Sequence, residues 1–176
     1  MRFTALLLLA VALLFSVPAL ASPAVGSQRP AIKLVDGWDR ELDLASVKRP
    51  LLLIYAGKNT STQNQVLTGE LAALESSIHY RRAVLEVGVA DVAAYDQWPA
   101  RGIVKDELKK HSMLGVVVYA DFTGQVGTKL ALTPGQSNVV LYGSDGKVLF
   151  SYAGAVPEVQ RRALVDLIRA LVARLS

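Results

Sequence analysis

The densest run of chemically able side chains is Lys58-Asn59-Thr60-Ser61-Thr62, directly after Gly57. It offers a cation, an amide and hydroxyls on consecutive residues. At the start of a helix such a run could hold a small anion or a peptide carboxylate. The first N–H groups of a helix lack intrahelical partners and carry partial positive charge. The plainer expectation is that Ser61 or Thr62 caps that helix and Lys58 is solvated. A phosphate-binding loop is excluded. That motif needs Gly five residues before Gly57 and Ser or Thr after Lys58, where Leu52 and Asn59 stand. Asn59-Thr60-Ser61 is formally a glycosylation acceptor, which matters only in a eukaryotic exported chain.

The chain has 176 residues and no cysteine. Thiol catalysis, disulfides, iron–sulfur ligation, thiolate zinc sites and lipid anchoring through an N-terminal Cys are thereby excluded. His79 and His111 have no second ligand at metal spacing. No metal site is expected, and both should lie near helix ends. No motif asks for a cofactor, and no G-x-S-x-G elbow supports a serine nucleophile. Asp91, Asp96, Asp106 and Asp121 fall at expected strand ends and turns, where capping is the ordinary role. Tyr95 and Trp98 fall in an irregular stretch. A binding lid is one use of such a pair, and anchoring the loop to the core is the expected one. The formal net charge is +4, without a basic block, so nucleic acid is not an expected partner.

These groups must be positioned by alternating strand and helix. Residues 31–35 and 41–44 flank Asp36-Gly37 and read as a hairpin. Residues 51–56 are a continuous apolar run, as expected for a strand buried on both faces. Leu67, Leu71, Leu74 and Ile78 recur at helical spacing and predict a helix over 62–77, weakened at Gly69. A strand follows over 83–90, then a loop over 91–102 and a short charged helix over 103–111. Residues 116–119 read as a strand, and 121–132 as a turn with a short helix. Strands over 138–142 and 147–152 meet around Ser144-Asp145-Gly146, a hairpin signal. Pro157 opens the last helix. Its apolar stripe is Leu164, Leu167, Ile168, Leu171, Val172 and Leu175, with Arg161, Arg162, Arg169 and Arg174 on a solvated face. The order predicts an α/β domain: a mixed sheet with helices on both faces and a terminal antiparallel hairpin.

Residues 1–21 read as a secretory signal peptide. Met1-Arg2 is a positive start, residues 5–15 are apolar, Pro18 breaks the run and Ala19-Leu20-Ala21 is a cleavage signature. The run is shorter than the ~20 residues of a bilayer span. No stable membrane span is expected after cleavage. Residues 22–30 read as a mobile leader and 31–176 as the folded domain. The expected location is periplasmic or secreted.

Three stretches carry a resemblance to the thioredoxin fold in its extended, exported form, as in peroxiredoxin-like and TlpA-like proteins. Residues 51–62 resemble the first buried strand and the active-site loop. Residues 116–132 resemble the strand, Asp-containing turn and short helix after an insertion. Residues 137–154 resemble the segment that starts at a cis-proline and continues as a hairpin. More narrowly, YAGKNTSTQNQ, NVVLYGSDGKVLF and AGAVPEVQRRALVDLIRALV are similar to the YtfJ family of exported bacterial proteins. That family shares the fold and has no established activity.

The resemblance implies a thioredoxin-like mixed sheet flanked by helices, with an N-terminal β-hairpin extension. It places Asn59 and Thr62 where thioredoxins carry Cys-x-x-Cys, and Ser137 at the cis-proline position. Neither an amide nor a hydroxyl replaces a thiolate of lowered pKa. The bond before Ser137 is expected to be trans, since a non-proline cis bond costs about 2.5–4 kcal/mol. The fold recognises extended peptides by pairing their backbone beside the strand at the Ser137 position. The expectation is an exported binding module without thiol redox activity. Its remnant cleft would comprise Lys58, Asn59, Thr60, Ser61, Thr62, Ser137 and Asn138. Its partner would be an envelope protein, an extended peptide or a small anion. Two other readings stand beside it: a hydrolase using the hydroxyls and Lys58, and a structural subunit of an envelope complex.

Overall fold

A computed structural model describes residues 22–112 and 116–174. The expected signal peptide over residues 1–21, and Leu175 of the last helix, lie outside the described residues. The strands are β1 Lys33–Asp36, β2 Glu41–Asp43, β3 Leu51–Gly57, β4 Leu85–Asp91, β5 Val116–Asp121, β6 Asn138–Tyr142 and β7 Val148–Ala153. The helices are α1 Gln65–Glu75, α2 Ile78–Ala83, α3 Ala100–His111, α4 Gln125–Lys129 and α5 Glu158–Ala173. The strands form one sheet in the order β2-β1-β5-β4-β3-β6-β7. β3, β4 and β5 run parallel, β6 and β1 flank them antiparallel, and β7 and β2 pair antiparallel with β6 and β1 at the two edges.

β3 lies inside because its sequence has no polar face. Leu51, Leu52 and Leu53 are each fully buried. Side chains alternate across a strand. Leu51, Leu53 and Tyr55 therefore enter one apolar cluster with Leu44, Val126 and Leu130, while Leu52 enters the other with Leu67, Leu71, Leu164 and Ile168. Helices thus cover both faces, as expected. Asp36-Gly37 does turn the first hairpin, with Asp36 Oδ1 accepting from the N–H groups of Trp38 and Arg40 at 2.8 and 2.9 Å. Glycine is required there, because a Cβ on Gly37 would sit 2.7 Å from the Lys105 carbonyl of α3.

The helix expected over 62–77 is shorter and is followed by a second one. Residues 58–64 form turns, closed by Thr60 N–H to Gly57 C=O at 3.0 Å and Gln63 N–H to Thr60 C=O at 3.1 Å. Ser77 adopts an extended conformation, so Ile78 begins α2 instead of ending α1. The apolar spacing of Leu74 and Ile78 hid that break. Ile78 is 46% exposed, and Tyr80 and Ala83 are the residues α2 buries. α3 starts at Ala100, three positions before the expected residue 103.

The leader over 22–30, expected to be mobile, is bonded to the β6–β7 hairpin. Gly26 N–H donates to Val148 C=O at 2.8 Å, Val148 N–H to Ser27 C=O at 2.9 Å, and Arg29 N–H to Gly146 C=O at 2.8 Å. The Arg29 guanidinium is buried, donates to Val47 C=O at 2.8 Å and lies 5.4 Å from the Tyr142 ring centroid. Arg161 is not on a solvated face either. Its Nε sits 3.3 Å from Glu70 Oε1, tying α5 to α1. No helix among the described residues is long and apolar enough to cross a membrane.

Candidate functional site

The loop after β3 divides into a solvent face and an anchoring face. Lys58, Asn59, Ser61 and Thr62 are exposed, and Thr60 is buried. Thr60 Oγ1 accepts from Gly57 N–H at 2.9 Å, so this hydroxyl closes the turn. Ser61 Oγ donates to the Lys58 carbonyl at 3.1 Å. Neither Ser61 nor Thr62 caps α1, because Asn64 stands at the cap position. The capping expectation was tied to a helix start at 62, and the added turn displaces it.

Asn64 has a different task. Its side chain is buried, and its Nδ2 donates to Ser137 Oγ at 2.9 Å and to Gly154 C=O at 3.0 Å. Its Oδ1 accepts from Val156 N–H at 2.9 Å. Next to it, Gln63 Oε1 accepts from Ser137 N–H at 2.9 Å. The Ser137 carbonyl accepts from Gly154 N–H at 2.7 Å. All of Ser137's main-chain hydrogen-bonding groups are therefore engaged within the chain. An extended peptide finds no free main-chain group at Ser137 itself. Among the described residues only Trp98–Pro99 is cis, so the bond before Ser137 is trans. Asn138 is buried as well, with Oδ1 accepting from Thr133 N–H at 2.9 Å and Nδ2 donating to the carbonyls of Thr133 and Gln136. Ser137 and Asn138 brace the segment before β6.

The open space lies on the other side of the loop. A cleft of about 740 Å³ runs between the carboxyl ends of β3 and β4 and the helix α3. Its floor is small and apolar, with Ala56, Gly57 and Ala90, and its wall is Val92, Ile103, Val104 and Leu108. A second hollow of about 360 Å³ is bounded by Lys58, Asn59 and Thr60 on one side and Gly135 and Gln136 on the other. Gly57, Lys58, Asp91 and Tyr95 line both, so the two meet there. Lys58, Asn59, Thr60 and Ser61 are thus brought to one groove, whereas Thr62, Ser137 and Asn138 line neither part. Sequence reasoning missed Asp91 as a lining residue because it reads as a capping group at a strand end, and Ile103 and Val104 because α3 comes from a stretch without a motif. Trp98 does not anchor its loop to the core, since 92% of it is exposed, and Tyr95 is 37% exposed on the groove.

Tyr55 and Asp121 form a structural pair. Tyr55 OH donates to Asp121 Oδ2 at 3.1 Å. The same oxygen accepts from the N–H groups of Val126 and Gly127 at 3.0 and 3.1 Å, which fixes the start of α4. Burial, reinforced by the Asp121 and Asp91 carboxylates, pushes the Tyr55 phenol well above its ordinary value, so it stays protonated. No loop hydroxyl among the described residues is bonded to a histidine or a carboxylate. His79 and His111 are exposed near helix ends, as expected. Among the described residues no group of three His, Asp or Glu side chains could hold a metal ion.

One buried acid lies elsewhere. Glu86 on β4 is buried, opposite Leu52 and far along the strand from the groove. Burial pushes its carboxyl up to about 7, Glu75 adds to that, and the Tyr80 hydroxyl, donating at 2.7 Å, opposes it.

No protein-family model and no curated protein sequence matches the chain. Solved structures do. A protein described as the thiol:disulfide interchange protein DsbE from Chlorobium tepidum superposes with a TM-score of 0.63 at 19% identity, over 86% of this chain and 99% of that one. The thioredoxin domain of a thiol-disulfide oxidoreductase from Bacteroides vulgatus gives 0.54 at 17% identity, over 82% and 97%. A thiol peroxidase from Chromobacterium violaceum gives 0.58 at 15% identity, over 85% and 87%. These likenesses show a thioredoxin-like fold.

Proposed function

We propose that this cysteine-free thioredoxin-like domain is an exported binding module of the YtfJ type. It receives an envelope protein or peptide in the groove beside its degenerate active-site loop. The observation that carries this reading is the apolar cleft of about 740 Å³ opening next to Lys58 and Ser61. Ligand sites are typically concave, mostly apolar and marked by a few placed polar groups. Thiol exchange is impossible without a thiol. The binding surface differs from backbone pairing at Ser137, whose main-chain groups are engaged inside the chain. Side chains of the partner enter the apolar cleft instead. The hydrolase reading lacks support, because among the described residues no loop hydroxyl is hydrogen-bonded to a base.

The test is photo-crosslinking in the native envelope. A photoreactive residue replaces Asn59 at the groove, and a second copy carries it at Arg162 on α5. A discrete adduct at Asn59 alone is the expected result. Adducts at Arg162 alone, or at neither site, overturn the reading in favour of contacts through the outer helices or no stable partner.

A further inference from the structure

Two charges at the waist of the groove have no ionic partner. Lys58 has no carboxylate, and Asp91 no cation, within ion-pair distance among the described residues. The β3–β4 register sets Asp91 opposite Gly57, the residue before Lys58. Opposite charges therefore stand on the ends of neighbouring strands, where strands run about 4.8 Å apart, and yet they do not pair. The other acid on the rim is spoken for, since Glu107 lies 2.6 Å from Lys110. Both of these charges line the apolar cleft and the smaller hollow, and Asp91 Oδ1 accepts a long bond from Ala93 N–H at 3.4 Å. A ligand crossing this waist meets a cation and an anion side by side, with apolar space beyond.

We propose that the groove recognises a zwitterionic head on an apolar body, with the ligand carboxylate at Lys58, its ammonium at Asp91 and its apolar side chain against Ala90 and Ile103. A plain fatty carboxylate would leave Asp91 facing it without a counter-charge, and a plain amine would leave Lys58 so. Free apolar amino acids and short apolar peptides share the required chemistry. The inference rests on the binding reading above and names the ligand class of that same groove.

Calorimetric titration of the purified protein tests it. The probes are L-phenylalanine, the dipeptide Leu-Phe and N-acetyl-phenylalanine amide, which lacks both charges. L-phenylalanine or Leu-Phe should bind at least about tenfold more tightly than the blocked analogue, the effect of one lost charge-assisted hydrogen bond. The tighter of the two identifies the source as free amino acid or peptide. Lys58→Ala and Asp91→Asn should each remove most of that preference, with circular dichroism confirming the fold. Equal affinity for charged and blocked probes, or no binding of any, overturns the proposal. An apolar fluorescent dye, anilinonaphthalene sulfonate, separates this failure from failure of the binding reading. Dye binding that Ile103→Asp abolishes, without charge preference among the probes, keeps the cleft as a binding site and removes only the zwitterion. Absence of dye binding together with absence of an Asn59 adduct removes both.

Discussion

Asn64 and Ser137 stand 73 positions apart, and the Nδ2 of the first donates to the Oγ of the second at 2.9 Å. Through the same amide the loop after β3 also holds Gly154 and Val156 beyond β7. The place where the resemblance sets a proline beside a reactive thiol is here closed by side-chain amides. That closure makes the loop a fixed wall of the groove.

Asn64→Ala should therefore be costly. It strands the Val156 N–H, the Gly154 carbonyl and the Ser137 hydroxyl, and each buried group left unpaired costs about 1–3 kcal/mol. We expect a loss of about 2–4 kcal/mol in urea unfolding, against about 1 kcal/mol for Ser137→Ala. A loss below about 0.5 kcal/mol for Asn64→Ala, the scale of a neutral surface change, would show that the knot bears no weight.

Glu86 makes stability depend on pH. Its carboxyl goes from 4.5 when unperturbed to about 7 in the fold, with burial the main cause. Between those values the native chain keeps a proton that the unfolded chain has lost, so stability falls as pH rises through that window. Below about 4.5 both states are protonated and the term vanishes. Above about 7 the full penalty, on the order of 3 kcal/mol, is present. Glu86→Gln should flatten the fall in urea midpoint between pH 5 and pH 8. An unchanged slope in that variant would assign the dependence to other groups.

Tyr55 and Asp121 should couple. Tyr55→Phe removes one hydrogen bond and leaves Asp121 its bonds to Val126 and Gly127. We expect a loss of about 1 kcal/mol for it and about 2–3 kcal/mol for Asp121→Ala. The double variant should lose about 0.5–1 kcal/mol less than the sum, since the groups touch. Strict additivity in a double-mutant cycle would contradict the contact.

Trp98 separates stability from recognition. It is 92% exposed, so Trp98→Ala should change thermal stability by less than about 0.5 kcal/mol. The same substitution should weaken the Asn59 crosslink, because Trp98 is an exposed aromatic in the segment between the groove-lining Tyr95 and Ala100, and exposed aromatics are the common form of a binding anchor. A stable variant with an undiminished adduct would place the partner away from the insertion.

Much of the architecture was legible in local pattern. The apolar run of β3, the alternation of strand and helix, the Asp36-Gly37 and Asp145-Gly146 turns and the stripe of α5 each follow from short-range chemistry. α2 was not legible, because Leu74 and Ile78 continue a helical spacing across the extended Ser77. Nor was the leader's attachment, since small polar residues carry no sign of the hairpin tip that receives them. At the site, residue type alone sufficed to exclude thiol chemistry and to single out the loop from Lys58 to Thr62. It could not sort those residues into wall and anchor. Thr60, Ser137 and Asn138 present the same polar groups as their exposed neighbours, and only burial and long-range partners turn them into braces.

What the sequence by itself determined is an α/β domain without a thiol and a polar loop at the end of an apolar strand buried on both faces. These depend on residue type and on periods of a few positions. What only the tertiary structure decided is where that loop opens. The groove forms because α3 lies against the carboxyl ends of β3 and β4, and the unpaired Lys58 and Asp91 become neighbours through the β3–β4 register. Contacts of that kind join residues far apart in the chain, and no local spacing encodes them.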